Sequence, residues 1–174
     1  LSLQTDLDIH YLKLEGTSEI QTNANTLSPV YLDIGTDIEL DLTNAVNSET
    51  GIDLVGDSTI NYTGGDLLLK YISVGGFSLT LNQNITSLTA ENIWLTNDYD
   101  SNRPNYMSST GKFLAQGVSV TLKKQLWLDK GKLEMGGGKL ELLKGGEVQD
   151  GGELDLSNSI LELAGPFYNS QATG

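Results

Sequence analysis

Residues 132–163 read KLEMGGGKLELLKGGEVQDGGELDLSNSILEL. Two triplets, Leu133-Glu134-Met135 and Leu140-Glu141-Leu142, are each followed 21 residues later by a counterpart, Leu154-Asp155-Leu156 and Leu161-Glu162-Leu163. A triplet of two apolar residues around a polar one is a short strand with one buried face, because successive side chains of a strand point to opposite sides. Gly, Asn and Asp between the triplets are turn formers and break any helical spacing.

Worked outward, the same period runs through the whole chain. One set of triplets starts at Leu12, Leu32, Ile52, Ile72, Ile93, Phe113, Leu133 and Leu154, in steps of 20 or 21 residues. A second runs through Leu1, Ile20, Leu40, Ile60, Leu79, Val118, Leu140 and Leu161. A third runs through Leu7, Leu27, Val46, Leu67, Leu88, Met107, Leu126, Val148 and Phe167. A fixed period of this length marks a repeat architecture. A meander of hairpins would show none. Three strands per period, each stacked on its equivalent one period later, predict an all-β chain: a right-handed parallel β-helix (β-solenoid) of about eight triangular coils of roughly 20 residues. At about 4.8 Å per coil the rod is roughly 40 Å long. Leu12, Leu32, Ile52, Ile72, Ile93, Phe113, Leu133 and Leu154 are expected to form one inward ladder. Outside, Glu134 is expected to stack on Asp155 and Glu141 on Glu162, like-charge pairs that cost stability at low salt.

The chain has 174 residues, enough for one domain over 1–174 with a real core, here expected to be a segment of a larger protein. It contains no Cys, which removes disulfides, thiolate metal sites and a cysteine nucleophile. Its apolar runs, such as Leu67-Leu68-Leu69, are too short to span a bilayer. The formal net charge is -13, which argues against nucleic acid and anionic membranes as partners. That charge lies in residues 1–100, where 15 acids face only Lys13 and Lys70; residues 101–174 are balanced, with eight acids against Arg103 and seven Lys. Each end of a solenoid is an unpaired strand edge, so end-to-end or lateral self-association, or docking to neighbouring segments of the parent protein, is expected.

The stretches Gly137-Gly138-Lys139-Leu140-Glu141-Leu142 and Gly152-Glu153-Leu154-Asp155-Leu156 resemble the β-helical stalks of bacterial adhesins, the filamentous-haemagglutinin-type exoproteins and autotransporter passenger domains. The resemblance lies in repeat length and composition and carries over no functional residue. It implies a secreted or cell-surface bacterial protein with a structural and adhesive role, binding glycan or protein, and no catalysis. The alternative is a carbohydrate-active β-helix enzyme, or a phage-type fibre segment acting on glycans. That reading would use the carboxylates of Asp98 and Asp100 beside Arg103. The lone His10 lies far along the chain from them.

Two irregularities supply the candidate site. Between Leu79 and Val118 the second set lacks a triplet near residue 99, where the chain offers Asn97-Asp98-Tyr99-Asp100-Ser101-Asn102-Arg103-Pro104-Asn105-Tyr106. Because Ile93 to Phe113 still spans 20 residues, residues 97–111 are expected to be a polar loop replacing one strand, and loops on rigid scaffolds carry binding sites. Asp98, Asp100 and Asn102 have the spacing that opens a Ca²⁺ loop, but Arg103 stands where its Gly belongs. Metal ligation there is a weak expectation. The second irregularity is aromatic: Trp94 should point outward, with Leu114 beside it one coil later and Tyr11, Tyr31 and Tyr71 just before the same strands. Trp127 should face out from another side. Trp94, Asp98, Tyr99, Asp100, Asn102, Arg103, Tyr106 and Leu114 are therefore the candidate ligand-binding residues, an apolar platform beside directional polar groups.

Overall fold

The computed structural model describes residues 4–5, 7–14, 19–20, 27–34, 38–41, 51–54, 56–61, 66–82, 84–94, 106–107, 110–149 and 151–170. Before residue 51, and at 61 and 106–107, the strands are described by their backbone alone. The described residues contain strands and turns and no helix. In chain order the first strands are β1 (Leu7–Leu14), β2 (Glu19–Ile20), β3 (Leu27–Ile34), β4 (Ile38–Asp41), β5 (Gly51–Leu54), β6 (Ser58–Asn61), β7 (Asp66–Ser73), β8 (Ser78–Leu81) and β9 (Ser87–Trp94). They are followed by β10 (Tyr106–Met107), β11 (Lys112–Leu114), β12 (Ser119–Leu122), β13 (Leu126–Leu128), β14 (Lys132–Glu134) and β15 (Lys139–Leu142). The last four are β16 (Gly146–Val148), β17 (Glu153–Asp155), β18 (Ile160–Leu163) and β19 (Phe167–Asn169).

These strands pair only in parallel, in three sheets. An eight-stranded sheet runs β1-β3-β5-β7-β9-β12-β15-β18, a seven-stranded sheet runs β2-β4-β6-β8-β11-β14-β17, and a four-stranded sheet runs β10-β13-β16-β19. Neighbours in each sheet come from successive coils, so the chain is the parallel β-solenoid that the period of its triplets requires.

The long strands of the first half carry two inward faces. In β7, Leu67 and Leu69 are buried, the pattern breaks at Lys70 and Tyr71, and Ile72 is buried again. One strand thus bends around a corner. In the second half the corner opens into a turn, Lys123–Gln125, between β12 and β13. Inside, the rows are continuous: Leu67, Leu88, Val120, Leu140 and Leu161 stand in register, as do Leu69, Ala90, Leu122, Leu142 and Leu163. All but the last coil's members are sealed from solvent. Each sealed Leu or Ile contributes on the order of 1.5–3 kcal/mol before the entropy of ordering it. At some corners backbone approaches backbone so closely that only glycine fits: a Cβ at Gly138 would collide with the carbonyl oxygen of Val118.

The expected first ladder is split. Leu12, Leu32, Ile52, Ile72 and Ile93 do stand in register. Phe113, however, stacks on Leu79, and Leu133 and Leu154 continue from there. Likewise Val120, not Met107, continues the third set from Leu88. The cause is an insertion. Ile72 reaches Leu79 on the next face in seven residues, whereas Ile93 needs twenty to reach the equivalent Phe113. The added length of about thirteen residues shifts each triplet set one face around the rod, yet leaves the spacing in the sequence at twenty. The coil from Leu79 to Phe113 is therefore longer than its neighbours. Within the segment expected to be a polar loop, β10 is a strand of its own, paired with β13 and lying beside β9.

The outward acidic pairs are found where expected, with Glu134 opposite Asp155 and Glu141 opposite Glu162. Their repulsion is offset by lysines two residues upstream. Lys132 lies 3.3 Å from Glu134, 2.8 Å from Glu153 and 3.6 Å from Asp155. Lys139 lies 3.8 Å from Glu141 and 3.2 Å from Glu162. Glu141 also accepts a 3.0 Å hydrogen bond from the Thr121 hydroxyl. The hydrogen bond to Glu153, then that to Glu134, holds the Lys132 ammonium well above the usual lysine range. Asp155 is held low first by the hydroxyl and amide of Ser157, which donate to it at 2.6 and 3.0 Å, and then by Lys132.

Candidate functional site

Along the second half of the eight-stranded sheet, positions Tyr11, Tyr31, Gly51, Tyr71 and Asn92 stand in one row across the strands. Two residues further on, Lys13, Asp33, Asp53, Ser73 and Trp94 form a parallel row. The intervening Ile52, Ile72 and Ile93 point into the core and are fully buried, so alternation puts the side chains of Tyr71, Asn92, Asp53, Ser73 and Trp94 on the outer side.

The row explains itself locally. Gly51 breaks the tyrosine series, and the Tyr71 ring lies over it, where any Cβ would collide with ring atoms. That tilt brings the Tyr71 hydroxyl to Asp53, to which it donates at 2.9 Å. On its other side Tyr71 stacks on Trp94, with centroids 5.0 Å apart and planes inclined by 30°. Such a pair contributes about 0.5–1.5 kcal/mol beyond burial. Ser73, between Asp53 and Trp94, leaves room for the ring to cross between the rows. Both aromatics are half-buried. Asn92, in register with Tyr71, is only 6% exposed, and its Oδ1 has no hydrogen-bond partner among the described residues. Together these groups offer a rigid aromatic surface edged by a carboxylate oriented by a phenol, an arrangement for recognising a ring that carries hydroxyl groups.

The remaining candidates separate. Asp98, Tyr99, Asp100, Asn102 and Arg103, and with them the Ca²⁺ candidates Asp98, Asp100 and Asn102, lie outside the described residues. Tyr106 belongs to β10, which is in register with Trp127 in the four-stranded sheet and packs beside β9, the strand that ends at Trp94. Leu114 is not a neighbour of Trp94 either: it pairs with Thr80 and Glu134 in the seven-stranded sheet, displaced there by the insertion. His10 lies within β1. Sequence reasoning missed Gly51 and Asp53, although a glycine replacing tyrosine at the 20-residue spacing was a visible signal of close packing. Trp127 was expected on another side, but β13 follows β12 as the second half of β9 follows its first half, so Trp127 shares the face of Trp94 with β10 between them, and Glu147 and Tyr168 stand in its row.

Among the described residues no group of three or more His, Cys, Asp and Glu could hold a metal ion, and no helix is long and apolar enough to cross a membrane. No protein-family model, curated protein or solved structure matches the chain.

Proposed function

We propose that this chain is a non-catalytic structural and adhesive module of a secreted or cell-surface bacterial protein, and that it holds glycan at the outer face around Trp94. The observation that carries the reading is the half-buried Tyr71–Trp94 stack beside Asp53, on a sheet whose inner face is sealed. A solenoid spends its core on rigidity and leaves rows of outward side chains in line, which suits repeated weak contacts along an extended partner. The net charge of -13 favours glycan over polyanionic partners. The resemblance to adhesin stalks supports the location and the role.

The test is binding of the wild-type chain and of Trp94→Ala to an array of bacterial and host glycans. A stacking aromatic at the centre of a site is worth about 1–3 kcal/mol, so Trp94→Ala should lose roughly ten- to hundredfold in affinity. Removing the ring also deprives Tyr71 of its partner, and the melting temperature should fall modestly. Unchanged glycan binding by a folded Trp94→Ala would show that this face is structural.

A further inference from the structure

The outer side of the four-stranded sheet carries a second arrangement of the same kind, with different residues. Trp127, Glu147 and Tyr168 stand in register on β13, β16 and β19. Leu126, Leu128 and Val148 are buried, so Trp127 and Glu147 face out. Tyr168 is 57% exposed. Trp127 and Tyr168 are two rungs apart, about 9.6 Å, with the Glu147 carboxylate between them. Two residues further along, Asp129, Gln149 and Ser170 form a parallel outward row. It is held by the amides of Gln149 and Ser170, which donate to the carbonyls of Leu128 and Val148 at 2.8 and 3.0 Å. Asp129, Lys130, Gln149 and Ser170 line a cavity of about 400 Å³.

Two details mark this surface as more than a solvated corner. The Ser170 hydroxyl donates to Glu147 at 2.6 Å and orients that carboxylate between the two aromatic positions. Lys130 adopts a left-handed backbone, φ 64°, which costs a side-chain-bearing residue about 1–2 kcal/mol. It packs against Gly151 in the next coil, at φ 81°, where the same conformation is met by glycine. A lysine stands at a turn where glycine would be easier and lines the cavity, and retained strain of this kind gathers at functional sites.

We propose that this surface binds a neutral oligosaccharide lying along the rod, its rings stacked at Trp127 and Tyr168 and its hydroxyls bonded to Asp129, Glu147, Gln149 and Lys130. The orientation follows from the rows, which run across the strands from coil to coil. Neutrality follows from charge: two carboxylates against one ammonium here, and -13 on the whole chain, repel uronates and sulfated sugars. Carboxylates accept well from sugar hydroxyls, while Lys130 supplies a charged donor. The site goes beyond the Trp94 reading and lies on later coils, with β10 between Trp94 and Trp127, so either can fail alone.

The experiment is calorimetric or NMR titration of the whole chain with cellohexaose, maltohexaose and mannohexaose, with polygalacturonate as the anionic counterpart. At least one neutral hexasaccharide should bind. Tyr168→Ala should weaken it at least tenfold, and Trp94→Ala should leave it unchanged. Lys130→Gly should weaken binding with the melting temperature unchanged or raised, since glycine relieves the turn. Binding lost in Trp94→Ala but kept in Tyr168→Ala would overturn the proposal in favour of the first face. Failure of all three neutral probes at about 10 mM, or binding of polygalacturonate alone, would overturn it outright.

Discussion

Lys132 reaches across one coil to Glu153, 2.8 Å away, while it also meets Glu134 on its own strand and Asp155 opposite. A parallel solenoid stacks like on like, and here that places acid on acid; the lysine two positions upstream lies between the rows. We expect Lys132→Met to lower the melting temperature at low salt. The gap to wild type should close as salt rises from about 0.05 M to 1 M, because the attraction of Lys132 and the repulsion it masks are both screened. Thermal melts across that range check this, and a gap independent of salt would show that packing of the lysine stem, not its charge, is what matters.

Asp155 gives the corresponding pH dependence. Its folded-state pKa is depressed by Ser157 first and Lys132 second. The stability it contributes is therefore present above the unfolded aspartate value of about 3.9 and is lost as pH falls through the lower folded value. Lys132, held above its ordinary value, contributes stability that is lost only as pH rises beyond the usual lysine range. Ser157→Ala should be less stable than wild type near neutrality, and the difference should narrow as pH drops below about 4. Denaturant midpoints at pH 7 and pH 3 measure it; a constant difference would contradict the assignment.

Gly51 is the position where the aromatic row depends on having no side chain. Gly51→Ala should push Tyr71 off its neighbour and break its hydrogen bond to Asp53, at a cost of about 1–3 kcal/mol typical of overpacking. Tyr71→Phe should keep the stack and lose only the bond. If Gly51→Ala costs no more than Tyr71→Phe, the ring does not rest on Gly51.

Much of the architecture was legible because a buried strand face leaves a period-two trace, and stacking forces that trace to repeat. Ile52, Ile72 and Ile93 could be placed in one ladder from spacing alone. The same spacing misled at Phe113. An insertion of about thirteen residues, added to the usual seven between faces, restores a step of twenty, so a change of face looks like one more coil. Leu114 was assigned to the wrong neighbour for that reason. Trp94 and Trp127 were recognisable as outward because Ile93 before the one, and Leu126 and Leu128 around the other, face inward. Their partners were not: Asp53, Glu147 and Tyr168 come close through stacking of separate coils and the tilt of individual rings, which residue type does not reveal.

The central claim is that the coil between Leu79 and Phe113 is enlarged, which puts Leu114 beside Thr80 and away from Trp94. The chain has no cysteine, so engineered pairs report contact without background. Thr80 and Leu114 are directly opposite in neighbouring parallel strands, about 4.8 Å apart, within disulfide reach. Mild oxidation of the Thr80→Cys, Leu114→Cys variant should give an intramolecular disulfide nearly quantitatively, and the Trp94→Cys, Leu114→Cys variant should remain reduced. A disulfide in the second variant and free thiols in the first would restore the unbroken ladder from Ile93 to Phe113 and contradict the account.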